Sequence, residues 1–293
     1  MTTPQAPTEQ PSAKPESAED KFKFQVIYLL PILASMLFGL VCAWVLLPQP
    51  AAVIPVTPIP ESTPGAPLGN ALYFVILIAI SATIFYVLLK RRSKRIIKGL
   101  IVVALTTASM LLSVVYLSAL ASYVPAMGDW LIILLSIVIT ALFDLAIFKF
   151  GSAARNAAVI LIGGALGIFF GWAIPLWSAI VILAFLAIYD VIAVYKGPVG
   201  KIAQTGLDDL QGLSFSFKDI QMGLGDLVFY SMLTGAMLFN FIPSFFPVIA
   251  AIIGIMAGSI VTFFMLEKKG IFPGLPFPIL FGLVFGLAVG FLL

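Results

Sequence analysis

The sequence contains no histidine and a single cysteine, Cys42. The lack of histidine excludes histidine-ligated metal sites, Ser–His dyads and Cys–His pairs. The single cysteine excludes an intrachain disulfide and a cysteine–metal cluster. Charge is also scarce, because only 10% of the residues are charged and the net charge is +3. So small a net charge gives no indication of nucleic-acid binding.

Apolar residues are abundant instead. They make up 61% of the 293 residues, and the mean hydropathy is +1.15. A soluble protein of this length could not bury so much apolar surface, so the composition predicts an integral membrane protein. The polar, Pro- and Ser-rich stretch 1–23 is predicted to be a disordered cytoplasmic tail. It is not read as a signal peptide, because the apolar run that follows is too long.

Nine apolar runs have the length of about 20 residues that a membrane-spanning helix needs. They are 24–47, 70–89, 99–123, 129–148, 156–174, 176–195, 223–242, 245–266 and 274–293. The glycine-rich patch 161–171, "LIGGALGIFFG", is typical of closely packed membrane helices. The predicted fold class is therefore an all-α, polytopic membrane protein with nine transmembrane helices.

The basic residues predict how these helices are oriented. All 16 Lys and Arg residues fall in the N-terminal tail or in the second, fourth, sixth and eighth connecting loops. Basic loops stay on the cytoplasmic side. We therefore expect a multi-pass protein of the cell membrane with a cytoplasmic N-terminus, an extracytoplasmic C-terminus and an odd number of spans.

Three acids lie inside apolar runs: Asp144, Asp190 and Asp226. A charge at the bilayer centre costs at least ~2.5 kcal/mol, so each is a candidate functional site. Asp144 is five residues from Lys149, and we expect a structural, interfacial role for it. Asp190 and Asp226 fall on consecutive antiparallel spans, both at a depth of about 10 Å below the cytoplasmic surface. We expect these two to pack together.

Two carboxyl groups held together at low dielectric cannot both ionise easily, so the pair tends to share one proton. The ionised member can then activate a water while the protonated one polarises a carbonyl, as in aspartic proteases. The same pair could instead relay protons or cations in a carrier or channel, or simply join two helices. Spacing and depth alone leave these three alternatives open.

Three motifs shift this balance. "AIYDVIAVYKGPVG" places Tyr189 before Asp190, "GLGDLVFYSMLTG" gives Gly-x-Gly-Asp at 223–226, and "FPGLPFPILFGL" gives Pro-Gly-Leu at 273–275. In this order they resemble the presenilin family of intramembrane aspartyl proteases, which is related to signal peptide peptidase. The family has Pro-Ala-Leu at the third motif, so Gly274 is a departure. The short loops and compact length are similar to the archaeal members.

The resemblance implies an enzyme that hydrolyses peptide bonds within the transmembrane segments of other proteins, with Asp190 and Asp226 as the catalytic pair. It also implies that no cofactor or metal is needed. The implied substrate-binding residues are Gly223, Leu224, Gly225, Pro273, Gly274 and Leu275. The two glycines before Asp226 would leave room for a substrate backbone, although close helix packing would also explain them. Partners are then transmembrane substrates and the bilayer, with a homo-oligomer left open.

A transmembrane substrate must unwind before its peptide bonds can be cut. The irregular segment 273–276 offers backbone groups on which an unwound substrate could pair as an added strand. The alternating Leu213, Phe215 and Phe217 predict a strand or membrane-surface segment near the site. Presenilins carry an autocleavage site in the corresponding loop, so self-cleavage within 196–222 is a further hypothesis.

These expectations divide the chain into three parts. Residues 1–23 form the tail, 24–174 the first five membrane helices, and 175–293 the catalytic helices six to nine with the cytoplasmic loop 196–222. A carrier would be favoured by inverted repeats with matching broken helices. The two halves of this sequence show no convincing repeat, and only the second half carries the acid pair.

Overall fold

The computed structural model of the protein describes residues 23–49, 56–91, 93–124, 127–196, 214–217 and 220–292. The predicted disordered tail 1–23 lies outside these residues except for Lys23. Most of the loop 196–222, for which self-cleavage is predicted, also lies outside them, and so does Leu213. Nine α-helices are found in the described part of the chain. They are α1 (Leu30–Leu46), α2 (Ala66–Lys90), α3 (Lys94–Ala121), α4 (Asp129–Phe148), α5 (Ser152–Ala173), α6 (Leu176–Tyr195), α7 (Leu224–Asn240), α8 (Phe246–Lys269) and α9 (Pro276–Leu292).

The helical fold class is confirmed, and one helix lies in each predicted span. The bounds of α4 and α6 coincide with the predicted runs 129–148 and 176–195. Seven membrane-length apolar helices are found among the described residues, the first being Val26–Leu46 with its initial 3₁₀ turn. Both α7 and α9 are shorter, at 17 residues each. The chain is thus a multi-pass membrane protein.

Prolines and a glycine mark several helix ends. Pro31, Pro67, Pro247 and Pro276 lie in the first turns of α1, α2, α8 and α9, where no N–H is needed. Helix α8 ends at Lys269, and the next residue, Gly270, has a φ of +75°, which is a conformation that glycine adopts readily. At the start of α9, Pro276 is already part of a regular helix. The irregular segment predicted for 273–276 therefore ends at Leu275.

Two helices form the centre of the bundle. Helix α5 contacts both α1 and α7, which also contact each other, and α7 further contacts α6, α8 and α9. The glycine patch explains this closeness: a Cβ at Gly167 would lie 2.8 Å from Met232 N, and one at Gly171 would lie 2.7 Å from Ala236 N. The predicted role of these glycines in helix packing is therefore confirmed.

A short hairpin precedes α7. Strand β1 (Ser214–Phe217) pairs antiparallel with β2 (Ile220–Gly223). The strand predicted from the alternating pattern is confirmed over 214–217. Strand β2 runs directly into α7, so the hairpin fixes where the helix carrying Asp226 begins.

Candidate active site

Asp226 lies in the first turn of α7, three residues after the N-cap residue Gly223. The Gly223 backbone N–H hydrogen-bonds to the Asp226 carboxyl. A third-position acid that reaches back to the N-cap in this way satisfies one of the amides that a helix start leaves without a helical partner. The sequence Gly-Leu-Gly-Asp therefore both starts the helix and fixes the carboxyl at its N-terminal end, where the helix dipole favours an acid.

Asp190 comes from the second-last turn of α6 and is half-buried. Its Oδ2 accepts a hydrogen bond from Leu275 N, with a donor–acceptor distance of 3.0 Å. Leu275 belongs to the irregular stretch between α8 and α9. The first and third motifs, far apart in sequence, therefore meet through the hydrogen bond between Asp190 and Leu275.

Gly274 faces the other acid. A Cβ built at this glycine would lie 2.9 Å from Asp226 Oδ2 and 3.1 Å from Asp226 Oδ1. The two carboxyl groups thus flank the Gly274–Leu275 peptide, and they are close enough to interact electrostatically. The contact with Asp226 leaves no space for a methyl group unless the carboxyl shifts. This steric restriction explains why glycine stands at position 274, where the family has alanine.

Tyr230 completes the arrangement. It lies one turn after Asp226 on α7, and its side chain is only 2% exposed. Its hydroxyl donates a hydrogen bond to the Gly274 carbonyl oxygen at 2.9 Å. The Gly274–Leu275 peptide is therefore tied to α7 through its C=O and to α6 through its N–H.

The other predicted substrate-binding residues occupy different environments. Gly223 and Gly225 are exposed, and a Cβ at either would meet its nearest neighbour at 3.7 Å or more. Helix packing therefore does not require these two glycines. Leu224 between them is buried, and its side chain contacts α5 at Gly163. Pro273 and Leu275 are buried as well, so their side chains help to hold the segment in place.

A cavity of about 130 Å³ adjoins Asp226. It is lined by residues of α1, β2, α7, α8 and the segment before α9: Ile32, Met222, Asp226, Tyr230, Ser259, Thr262, Phe263, Leu266, Phe272 and Gly274. Sequence analysis did not single out Tyr230, Ser259 or Thr262. The position of Tyr230 four residues after Asp226, on the same helix face, was a usable signal.

Asp144 lies apart from this pair, at the contact between α3 and α4. Its Oδ2 accepts a hydrogen bond from Thr106 Oγ1 at 2.8 Å. A carboxyl group paired with a neighbouring helix in this way can join two membrane helices. The geometry fits the interfacial role predicted for Asp144.

Comparison with known proteins extends these observations. The family described as signal-peptide peptidase, presenilin aspartyl protease matches residues 44–211, more than half of the chain. The match includes Asp190 and ends before Asp226. No curated protein sequence matches the chain significantly.

The fold is similar to two solved structures of a presenilin family intramembrane aspartate protease. The structure in space group C222 aligns with a TM-score of 0.66 and 20% identity, covering 92% of this chain and 99% of the other. The structure in space group P2 aligns with a TM-score of 0.60 and 22% identity, covering 90% and 95%. At these identities the likeness shows a shared fold.

Fold and site together define a polytopic helical membrane protein with two carboxyl groups facing each other across one peptide. The chain belongs to the signal-peptide peptidase and presenilin aspartyl protease family. Its activity is accordingly intramembrane aspartic proteolysis, and its substrates are membrane proteins within the bilayer.

Proposed function

We propose that Asp190 and Asp226 are the catalytic pair of this protease and that it cuts peptide bonds inside transmembrane helices. The observation that carries the proposal is the Gly274–Leu275 peptide, because its neighbours on the two sides are the two carboxyl groups. Carboxyl groups in this relation can divide the work of a general base and a general acid.

The reaction needs only water and the two acids. One carboxylate takes a proton from water, whose oxygen forms a bond with the substrate carbonyl carbon, while the other carboxyl gives its proton to the carbonyl oxygen. The resulting gem-diol then collapses: the C–N bond breaks, the leaving nitrogen takes a proton from the pair, and one hydroxyl of the gem-diol gives its proton back to the pair as the C=O bond forms again. The products are a carboxylic acid and an amine, and the pair regains its single shared proton.

Substrate access is proposed from the side of the exposed glycines. Gly223 and Gly225 border Asp226 without side chains, so an unwound substrate backbone can approach the carboxyl group there. A substrate strand could also pair with the segment before α9. This pairing must leave out the Gly274 carbonyl and the Leu275 amide, because both already bond within the protein.

We further propose nine membrane spans, with the N-terminus in the cytoplasm, the C-terminus outside and the chain in the cell membrane. Helices α7 and α9, at 17 residues each, are at the short end of what can span a bilayer. In this arrangement residues 24–174 support the catalytic part 175–293, and a homo-oligomer is compatible with it. Protease protection of terminal tags in sealed vesicles tests the orientation.

The test of the catalytic pair uses purified protein in liposomes with a single-span substrate. Asp190→Asn and Asp226→Asn are compared with the wild type, with Asp144→Asn as the matched control for removing an intramembrane carboxylate. We expect each of the first two to lower the cleavage rate at least ~1,000-fold, as loss of a catalytic group does, while Asp144→Asn remains active. Unchanged melting temperatures would show that the folds are intact.

Cleavage that survives in a folded Asp190→Asn or Asp226→Asn variant would overturn the assignment. If the wild type itself cuts nothing, proton flux in the same liposomes becomes the decisive measurement. A flux lost in both variants would indicate the carrier alternative.

A further inference from the structure

Hydrolysis consumes one water per bond cut, and the hydrocarbon region of a membrane contains none to spare. A protease of this kind must therefore keep water beside its acids. The cavity next to Asp226 touches one of the two proposed catalytic carboxyl groups, and its volume is about 130 Å³. Because a water molecule in the liquid occupies about 30 Å³, the cavity can hold several.

Three hydroxyl groups line this cavity, and they differ in their hydrogen bonds. Tyr230 Oη donates to the Gly274 carbonyl, and Ser259 Oγ donates to the Ile255 carbonyl of its own helix at 2.8 Å. Thr262 Oγ1 is buried and makes no hydrogen bond with any described residue. A buried hydroxyl in that state is unfavourable for the fold unless water occupies the space beside it.

We propose that Thr262 binds water in this cavity and holds it ready for Asp226. Thr262 is then a positioning residue that acts on the nucleophile before it reaches the carboxyl groups. The ligand is water itself, bound between the Thr262 hydroxyl and Asp226. The inference rests on the proposed catalytic role of Asp226.

A threonine kept only for packing makes the opposite prediction. Thr262→Val preserves the shape of the side chain and removes the unpaired hydroxyl, so a packing role predicts equal or higher stability and full activity. A water-binding role predicts equal or higher stability with reduced activity. Thr262→Ser keeps the hydroxyl and loses only a methyl group, and it is the conservative variant that should restore function.

The kinetic test measures cleavage of a single-span substrate in liposomes by wild type, Thr262→Val and Thr262→Ser. We expect Thr262→Val to lower kcat at least fivefold with KM changed less than twofold, because substrate binding is untouched. Thr262→Ser should stay within twofold of the wild type in kcat. Full activity of Thr262→Val would overturn the proposal, and so would an equal loss in both variants.

A second readout does not depend on cleavage. In a Cys42→Ala background, which removes the one native cysteine, Thr262→Cys is compared with Ile255→Cys. Ile255 is on the same helix, is fully buried and does not line the cavity. The probe is the silver ion, which reaches thiols through water and replaces the thiol proton with an S–Ag bond. Remaining thiol is counted by maleimide labelling after denaturation.

We expect silver to consume the thiol at position 262 at least tenfold faster than the thiol at 255. Equal, slow reaction at both positions would mean a dry cavity and would overturn the proposal. If the wild type fails to cleave while position 262 is silver-accessible, the protease assignment of the acids fails and the water site stands. The two failures are thus distinguishable.

Discussion

The two sides of α7 are built differently. One side packs on the glycines of α5, so closely that a Cβ at Gly163 would lie 2.9 Å from Leu227 Cβ. The other side carries Asp226 and Tyr230, and it meets the segment before α9 through a hydrogen bond and a cavity. The first contact is too close to admit a methyl group at the α5 glycines, whereas the second is polar and leaves space.

The difference shows how a membrane protein can hold a carboxyl group in an open, polar setting. Helix α7 is fixed by contacts between backbones, which membrane helices reach only with small residues at the interface. Because the contact with α5 holds the backbone of α7 in place, the stretch around Asp226 and Tyr230 can border a cavity. The polar side can then keep room for water and substrate.

The largest effect is expected from Gly167→Ala, which breaks the packed side. The new Cβ would contact Val228 O and lie 2.8 Å from Met232 N, so α5 and α7 must separate. Overpacking of this kind costs roughly 1–3 kcal/mol, and we expect a lower melting temperature and a parallel loss of cleavage. Thermal unfolding in detergent measures it.

The matched control for that change is Gly99→Ala in α3, where a Cβ meets nothing within 4 Å. Alanine is the better helix former by up to ~1 kcal/mol, so this variant should be as stable as the wild type or more so. Equal melting temperatures for the two variants would mean that the close contact at Gly167 has no more effect on stability than the uncrowded position of Gly99.

A smaller effect is expected from Tyr230→Phe, which acts on the polar side. The Gly274 carbonyl loses its donor while the ring still packs, and one such hydrogen bond contributes about 1 kcal/mol net. We expect kcat to fall roughly tenfold, since the Gly274–Leu275 peptide between the acids loses its hydrogen bond to α7. Steady-state cleavage in liposomes provides the measurement.

Tyr73→Phe serves as the control for removing a phenol hydroxyl. Tyr73 lies on α2 with 44% of its surface exposed, so its loss should leave kcat within twofold. If Tyr230→Phe cleaves at the wild-type rate, the hydrogen bond to Gly274 does not help to position the two acids relative to each other.

The smallest effect is expected from Gly274→Ala, which introduces the alanine that the presenilin family has at this position of the motif. The added Cβ would lie 2.9 Å from Asp226 Oδ2, so the carboxyl must shift by a few tenths of an ångström. We expect kcat to fall roughly 3- to 10-fold with the melting temperature unchanged. Gly151→Ala, where a Cβ meets nothing within 4 Å, is the control. A faster enzyme than the wild type would show that the glycine is not fitted to Asp226.

Sequence reasoning located the helices well because a membrane span needs a long apolar run, which α4 and α6 display over their full lengths. It also found the two acids, because charge inside such runs is rare. It did not find the Tyr230–Gly274 bond, which joins residues 44 positions apart. Thr262 was likewise missed, because an isolated threonine in an apolar helix looks the same whether its hydroxyl faces a cavity or its own backbone.

The Gly274–Leu275 peptide has one more consequence, and it concerns the order of synthesis. Leu275 follows Asp190 by 85 residues, so the ribosome releases both acids before it releases the peptide that joins them. A newly made chain therefore passes through a stage in which both acids have been synthesised and their carboxyl groups have no common partner. Until Leu275 has been synthesised, the active site is not assembled, although newly inserted helices of other proteins already share the membrane with this chain.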